Sequence, residues 1–285
     1  MPDFPIVDAH VHLIDPARVP LSWGESAPAI NRPHLPADLD AARGDTEIEA
    51  FTFIEVDVVE GRHIDEAQMV SGIAQAEPRL KAIVAHAPVH KGRAVDGDLA
   101  ELARFPLMRG IRRLLQQESD PEFCLRPEFL EGLSCLPAHG LHFEICIYHH
   151  QLAAAVEMVR RCENVTFMLD HIAKPGIRDG LREPWARGIR EMAALPNVAC
   201  KVSGVVTEAD HANWKPDQLD FYIHHVIDSF GFDRVCFGSD WPVVNLAADH
   251  RRWIDLLDTS LRHARSDELR RLYRDNALGF YRMAR

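Results

Sequence analysis

The chain has 285 residues, of which 47% are hydrophobic and 26% are charged, and its formal net charge is −11 at pH 7. This composition excludes disordered and fibrous proteins and allows a large core, while the negative charge disfavours nucleic acid and anionic membranes as partners. No apolar run approaches the roughly 20 residues of a membrane span, and the first residues lack the features of a secretory signal. We therefore expect a cytoplasmic protein whose partner is a small molecule.

Six cysteines occur singly, without a C-x-x-C pair. This spacing favours reduced thiols over a zinc knuckle or a disulfide framework. Cys146, Cys200 and Cys236 lie in apolar runs, where a free thiol usually packs as a small buried group.

Eight short runs rich in Val, Ile and Phe follow one another along the chain, covering residues 4–12, 50–58, 80–89, 108–115, 142–148, 166–172, 198–204 and 235–243. Helix-like stretches with Pro and Gly near their ends lie between them, at residues 64–77, 126–140, 152–162, 183–195 and 218–231. Alternation of strand and helix predicts a parallel sheet, and eight such units favour a (β/α)8 barrel over a doubly wound sheet. The sequence therefore predicts one α/β domain, a TIM-type barrel over residues 1–285.

The segment from Ile14 to Asp45 follows the first run and contains several prolines with little periodicity. It is longer than an ordinary barrel loop. We expect this long loop after strand 1 to form a lid over the strand ends.

The first run contains VDAHVHL, which places His10 and His12 two residues apart. Residues i and i+2 of a strand share a face, and the carboxyl end of a barrel strand opens onto the mouth where barrel active sites lie. Two imidazoles side by side suit a divalent ion such as zinc, although a lone H-x-H pattern is weak evidence by itself. A turn at the surface is the alternative explanation of His12.

Titratable residues also end or interrupt other runs, among them His150, His171, Lys201 and Asp240. Charged groups in apolar strands are costly unless they serve a site. On the fourth run, alternation separates Arg112 from its two neighbouring arginines, and we expect Arg112 to face the barrel interior. Together these residues predict a polar cluster at the barrel mouth.

Four motifs resemble the amidohydrolase-related family of metal-dependent TIM-barrel hydrolases, within its group of sugar lactonases such as L-fuconolactonase and L-rhamnonolactonase. They are DAHVHL, LDHIAKP, CKVSGVVTEAD and FGSDWPV, and the resemblance runs from the first strand to the last. It implies a lactone-hydrolysing barrel with an active site of His10, His12, His171 and Asp240.

The resemblance also implies a divalent metal, with zinc the expected ion, on His10, His12 and Asp240. The wider superfamily often has a lysine or glutamate that bridges two metals, and Glu55 is only a loose equivalent, so at most one metal is expected. Some members of the lactonase branch work without metal. In that case the two histidines would hold substrate by hydrogen bonds.

Lactone hydrolysis needs an activated water, a polarised carbonyl and a proton for the departing alkoxide. We expect Asp240 to act as the general base, with the metal or Arg112 and His171 polarising the carbonyl. The residues expected to contact a polyhydroxylated substrate are His150, Lys201, Trp241 and Glu55. Two alternatives remain, namely a metal-dependent non-oxidative decarboxylase of the same superfamily and a barrel that only binds a sugar acid.

Overall fold

A computed structural model of the chain describes residues 2–283. Eight parallel strands pair in chain order, each with the next. They are β1 Ile6–Val11, β2 Ile48–Ile54, β3 Leu80–His86, β4 Met108–Arg112, β5 His142–Ile145, β6 Phe167–Leu169, β7 Val198–Val202 and β8 Val235–Phe237. The sheet closes where Val11 bridges Trp241 and the His12 amide donates to the Trp241 carbonyl at 2.8 Å. The predicted (β/α)8 barrel is confirmed.

Ten α-helices lie between and after the strands within residues 2–283. They are α1 Pro36–Arg43, α2 His63–Ala74, α3 Asp96–Leu102, α4 Pro127–Cys135, α5 Leu152–Arg161, α6 Trp185–Ala193, α7 Pro216–Phe230, α8 His250–Ser260, α9 Ser266–Arg270 and α10 Asn276–Phe280. A π-helical turn, Arg271–Asp275, joins α9 to α10. The helical stretches that the sequence indicated correspond to α2 and α4 to α7.

The apolar core has two parts. The larger part lies between the strands and the surrounding helices. A smaller cluster joins alternate residues of several strands inside the barrel, including Val7, Ala82 and Met168, to Tyr281 after α10. The rest of the interior is filled by buried polar and charged side chains, as described below.

A β-bulge in β1 turns the two histidines of the first strand toward the barrel mouth. From Asp8 to Val11 the strand advances three residues while its partner β2 advances two, from Phe51 to Phe53. A bulge of one residue reverses which side chains point inward. Val7 and Ala9 pack in the inner cluster, and His10 follows them on the same side.

The segment after β1 folds back across the end of β2. Ile14 bridges His34, Leu21 bridges Val58, and the Trp23 indole donates to the Val56 carbonyl at 2.7 Å. The segment also contains α1, which the sequence did not indicate. The contacts of Leu21 and Trp23 attach this segment to the loop that follows β2, and the bridge between Ile14 and His34 lies within the segment.

All six cysteines are buried and none forms a disulfide. Within residues 2–283, no helix combines the length and apolar character that crossing a membrane requires.

Candidate active site

Three imidazoles and one carboxylate meet at the carboxyl end of the barrel. The Asp240 Oδ1 atom lies 3.3 Å from His12 Nε2, 3.6 Å from His10 Nε2 and 3.9 Å from His171 Nε2. The two Nε2 atoms of His10 and His12 are 3.2 Å apart. All four residues are at least 95% buried. The structure therefore brings together the four residues that the sequence placed at the mouth.

The backbone after β8 holds Asp240 against β1. Asp240 has a φ of +59°, an unusual value for a residue with a side chain, and its amide donates to the His10 carbonyl at 2.9 Å. Gly238 allows this approach, because a Cβ there would lie 2.8 Å from the His10 Cβ. A side chain at position 238 would push the two halves of the site apart.

The backbone after β6 orients His171 by a run of left-handed residues. His171, Ile172, Ala173 and Lys174 all have φ between +41° and +60°. The His171 Nδ1 atom lies 2.9 Å from the Ser203 hydroxyl, which leaves Nε2 to face Asp240. Consecutive positive φ values are rare outside functional sites. The segments that follow β6 and β7 thus position the His171 ring together.

Buried charges support His10 from beneath. The Lys201 ammonium lies 3.1 Å from His10 Nδ1 and 3.0 Å from Asp170 Oδ1, and it also contacts Glu144. Glu144 in turn accepts a hydrogen bond of 2.7 Å from the Tyr281 hydroxyl. These groups have no exposed surface. A fully buried charge is stable only when paired, so this cluster holds His10 in a fixed position.

Arg112 faces the barrel interior, as alternation along β4 predicted. Its Nε and Nη2 donate to the side chain and the carbonyl of Glu55, both at 2.6 Å, and its Nη1 lies 3.1 Å from Asp170. Arg109 points elsewhere and donates to the Tyr281 carbonyl.

Glu66 lies near Glu55, and burial together with the Glu55 carboxylate raises the pKa of Glu66 to about 8. Glu66 is therefore a neutral acid at pH 7, accepting from the Val56 amide at 2.9 Å.

The site combines neutral imidazoles with an ionised carboxylate. Burial holds the pKa of both His10 and His171 well below the usual range of histidine. Burial alone would raise the pKa of Asp240, but His171 and His12 more than offset this effect and the net pKa is lowered. Asp240 is thus a carboxylate at neutral pH, with proton acceptors around it.

A cavity of about 180 Å³ lies above these residues, and we call it the catalytic cavity. Its walls include His12, His171, Asp240 and Arg112 from the predicted set. They also include residues that the sequence analysis did not select, namely Trp23, Asp57, Gln116, Gln117, Cys146 and Lys174.

The four predicted substrate contacts lie outside the catalytic cavity. His150 is exposed and stacks on Tyr148. Lys201 and Glu55 are fully buried, and Trp241 is 1% exposed with its ring against His34. The buried three can influence a bound molecule only through the residues that they hold, so in this geometry they position the site.

Lys174 is the cation with the fewest partners at the cavity. Its ammonium lies 3.5 Å from Glu208 and 5.5 Å from the centre of the Tyr148 ring. Arg112, by contrast, already uses three nitrogens on acidic or carbonyl oxygens. Lys174 stands in LDHIAKP just past the sixth strand, and the left-handed backbone run from His171 brings it to the cavity.

The residues present fit a single metal ion. His10, His12 and Asp240 form a group whose ligand atoms are spaced by 3.2, 3.3 and 3.6 Å. Tetrahedral zinc with bonds of about 2.0–2.1 Å would separate its ligands by about 3.3 Å. The His12 Nδ1 faces the Ile54 carbonyl at 2.9 Å and must carry the proton, which leaves Nε2 free to bind metal. His10 offers its Nε2 when its Nδ1 carries the proton toward Asp170 Oδ1, 3.5 Å away, and not when Nδ1 accepts from Lys201.

Comparison with known proteins identifies the family of this chain. Residues 7–283 match the model of the amidohydrolase family. The chain belongs to that family. This amidohydrolase is 31% identical to an L-fucono-1,5-lactonase of Burkholderia ambifaria, over 98% of its own length and 96% of the relative's. It is 30% identical to an L-fucono-1,5-lactonase of Burkholderia multivorans, over 88% and 87% of the two chains.

A solved structure gives the same result. An amidohydrolase from Burkholderia multivorans with bound zinc superposes with a TM-score of 0.88 at 27% identity. The match covers 99% of this amidohydrolase and 100% of the other chain. The family resemblance that the motifs indicated is confirmed.

Proposed function

We propose that this amidohydrolase hydrolyses a sugar lactone, a cyclic ester, to the corresponding sugar acid. The observation that carries the proposal is the ionised Asp240, buried among three imidazoles at the floor of a small cavity. The likeness over nearly the whole chain to proteins named as L-fucono-1,5-lactonases supports the same reaction.

In the proposed reaction, Asp240 acts as the general base. Its carboxylate takes a proton from a water molecule as the water oxygen bonds to the lactone carbonyl carbon. When the tetrahedral intermediate collapses, the bond from that carbon to the ring oxygen breaks. Asp240 then returns the proton to the departing alkoxide, which leaves a hydroxy acid.

The negative charge on the intermediate needs a positive or hydrogen-bonding partner. Lys174 is our first candidate, because its ammonium reaches the catalytic cavity and is only loosely paired with Glu208. Arg112, in the wall of the same cavity, contributes its positive charge. A zinc ion bound by His10, His12 and Asp240 would supply further polarisation of the carbonyl and of the attacking water.

An acyl-enzyme route is disfavoured by the state of the cavity's thiol. Cys146 lines the cavity, but burial raises the pKa of its thiol to about 12. A thiol with such a pKa is almost fully protonated at neutral pH and is a poor nucleophile. Direct attack by water is therefore the route that we propose.

The proposal is tested with a panel of 1,4- and 1,5-aldonolactones, with a pH indicator to detect released acid. We expect acid release well above the spontaneous rate for at least one lactone, without release of carbon dioxide. Carbon dioxide from an aromatic carboxylic acid would instead favour the decarboxylase alternative. Binding of sugar acids with no turnover of any lactone would favour a non-catalytic barrel.

A further inference from the structure

A second hollow lies beside the catalytic cavity, above the ends of β2, β3 and β4. Its volume is about 520 Å³, and it shares the wall residues Asp57, Leu114 and Gln117 with the catalytic cavity. We call it the distal hollow. The proposed reaction uses none of the residues that belong to it alone.

The two spaces differ in the size of molecule that they can hold. Pockets for drug-sized ligands measure about 300–1,000 Å³. The catalytic cavity, at about 180 Å³, lies below this range and is suited to one small ring. The volume of the distal hollow, about 520 Å³, lies within it. A ligand that filled both would be a single ring with a substantial substituent pointing past Gln117.

Two histidines in the distal hollow lack hydrogen-bond partners. Within residues 2–283, the Nδ1 of His90 is buried without a hydrogen-bond partner, whereas the ring of His86 contacts the ring of His63 and forms no hydrogen bond. Burial and His63 lower the pKa of His86 to about 4, and burial and Arg113 also lower that of His90. Neutral imidazoles offer one donor and one acceptor each. A buried polar atom without a partner, such as the Nδ1 of His90, usually indicates a ligand or water.

The other walls are polar and of mixed charge. Arg113 pairs with Glu118, and His63 lies 3.2 Å from Asp98. The remaining charged groups are Asp57, Glu60 and Lys91. Carboxylates therefore outnumber Lys and Arg, which disfavours an anionic ligand.

Two other kinds of ligand also fit poorly. Only a few apolar side chains, such as Val58 and Pro88, line the hollow, which disfavours a hydrophobic ligand. Within residues 2–283, both groups spaced to hold a metal ion include His10 and lie at the catalytic centre. A neutral molecule rich in hydroxyl groups matches the mixture of donors and acceptors, because each hydroxyl both donates and accepts.

We propose that the distal hollow is a binding subsite for a second sugar unit attached to the lactone ring. This inference rests on the proposed lactonase function and specifies its substrate class, a glycosylated aldonolactone. The lactone ring lies in the catalytic cavity, and the substituent passes Gln117 to reach His86 and His90.

The test compares D-glucono-1,5-lactone with cellobiono-1,5-lactone and lactobiono-1,5-lactone. We expect kcat/KM for a disaccharide lactone to equal or exceed that for gluconolactone. His86→Ala should lower kcat/KM for the disaccharide lactone about three- to tenfold, as expected for one lost hydrogen bond, and leave gluconolactone unchanged. Lys91→Ala, at an exposed position, provides a second variant if His86→Ala fails to fold. His211→Ala, in a separate surface hollow, is the matched control.

The possible failures are distinguishable. If gluconolactone is hydrolysed but disaccharide lactones are not, or if His86→Ala affects both equally, the inference is wrong and the proposed function stands. If no lactone is hydrolysed, the proposed function is wrong, and calorimetry with cellobionate and gluconate decides about the subsite. Tighter binding of cellobionate that His86→Ala weakens would support the subsite, and equal binding of the two acids would overturn it.

Discussion

Replacing Lys201 with methionine should destabilise the protein strongly. Lys201 is fully buried and contacts Asp170, Glu144 and His10. Removing one partner of a buried ion pair costs about 3–5 kcal/mol, because the remaining charge stays buried. The entropy of unfolding is about 2.1 cal/mol/K per residue, or about 0.6 kcal/mol/K for this chain. The melting temperature should therefore fall by about 5–8 °C.

Urea and thermal unfolding would measure this loss of stability. Steady-state kinetics with a lactone that the protein hydrolyses would show the effect of the substitution on the site. A Lys201→Met, Glu144→Gln double variant should regain part of the stability, because one of the unpaired charges is gone. Arg160→Met, which removes an exposed pair with Glu157, should cost far less than Lys201→Met, because surface ion pairs contribute little. A loss of less than about 1 kcal/mol in Lys201→Met, with only KM increased, would refute the positioning role and favour direct contact with substrate.

Four further predictions concern the site. Asp240→Asn should keep the fold and lower kcat by about 10²–10⁴-fold, because it removes the proton acceptor. Because the pKa of Asp240 is lowered, protonation of this carboxylate should reduce the activity of the parent only at pH values below the range in which carboxyl groups usually titrate. Cys146→Ala should retain activity within a few-fold, since its thiol pKa of about 12 excludes a thiolate. The purified protein should bind about one equivalent of zinc, and elemental analysis should find less in His12→Ala. In the parent, the folded state keeps Glu66 protonated up to about pH 8, whereas the unfolded chain releases that proton near pH 4, so the parent loses stability as the pH rises from 5 to 8. Glu66→Gln has no such proton, and its stability relative to the parent should therefore increase over the same pH range.

Each of these four has an outcome that would contradict it. An Asp240→Asn variant within a few-fold of the parent rate would remove Asp240 from the mechanism. Complete inactivity of a folded Cys146→Ala variant would point to a covalent intermediate. Full activity of metal-free protein after chelation would move His10 and His12 to substrate binding. A pH-independent stability difference for Glu66→Gln, with Glu77→Gln as a control acid, would show that Glu66 is ionised.

The convergence of His10, His12, His171 and Asp240 could be predicted because it follows from topology. In a barrel all carboxyl strand ends meet at one mouth, so polar residues at strand ends become neighbours whatever their separation in sequence. Arg112 could be placed inside because alternation allowed only two orientations of β4. Neither inference needed knowledge of side-chain packing.

The role of Lys201 could not be predicted in the same way. Alternation places it inside the barrel, but only packing shows that Asp170 and Glu144 enclose it below the cavity. Lys174 was missed for a different reason. Its approach to the cavity depends on the left-handed run from His171, a backbone conformation that no residue pattern in LDHIAKP indicates.

The hydrogen bond from the His12 amide to the Trp241 carbonyl has a consequence for how the protein forms. It joins the end of β1 to the segment that follows β8, so these two distant parts of the chain must meet before Asp240 reaches His10. Closing a long loop costs only slightly more than closing a short one, but such distant pairings form slowly. A chain whose synthesis has stopped before β8 contains His10, His12 and most of the helices, but it lacks Asp240, the proposed general base. Helical signal should therefore recover before turnover during refolding, and the return of turnover reports the docking of the final strand.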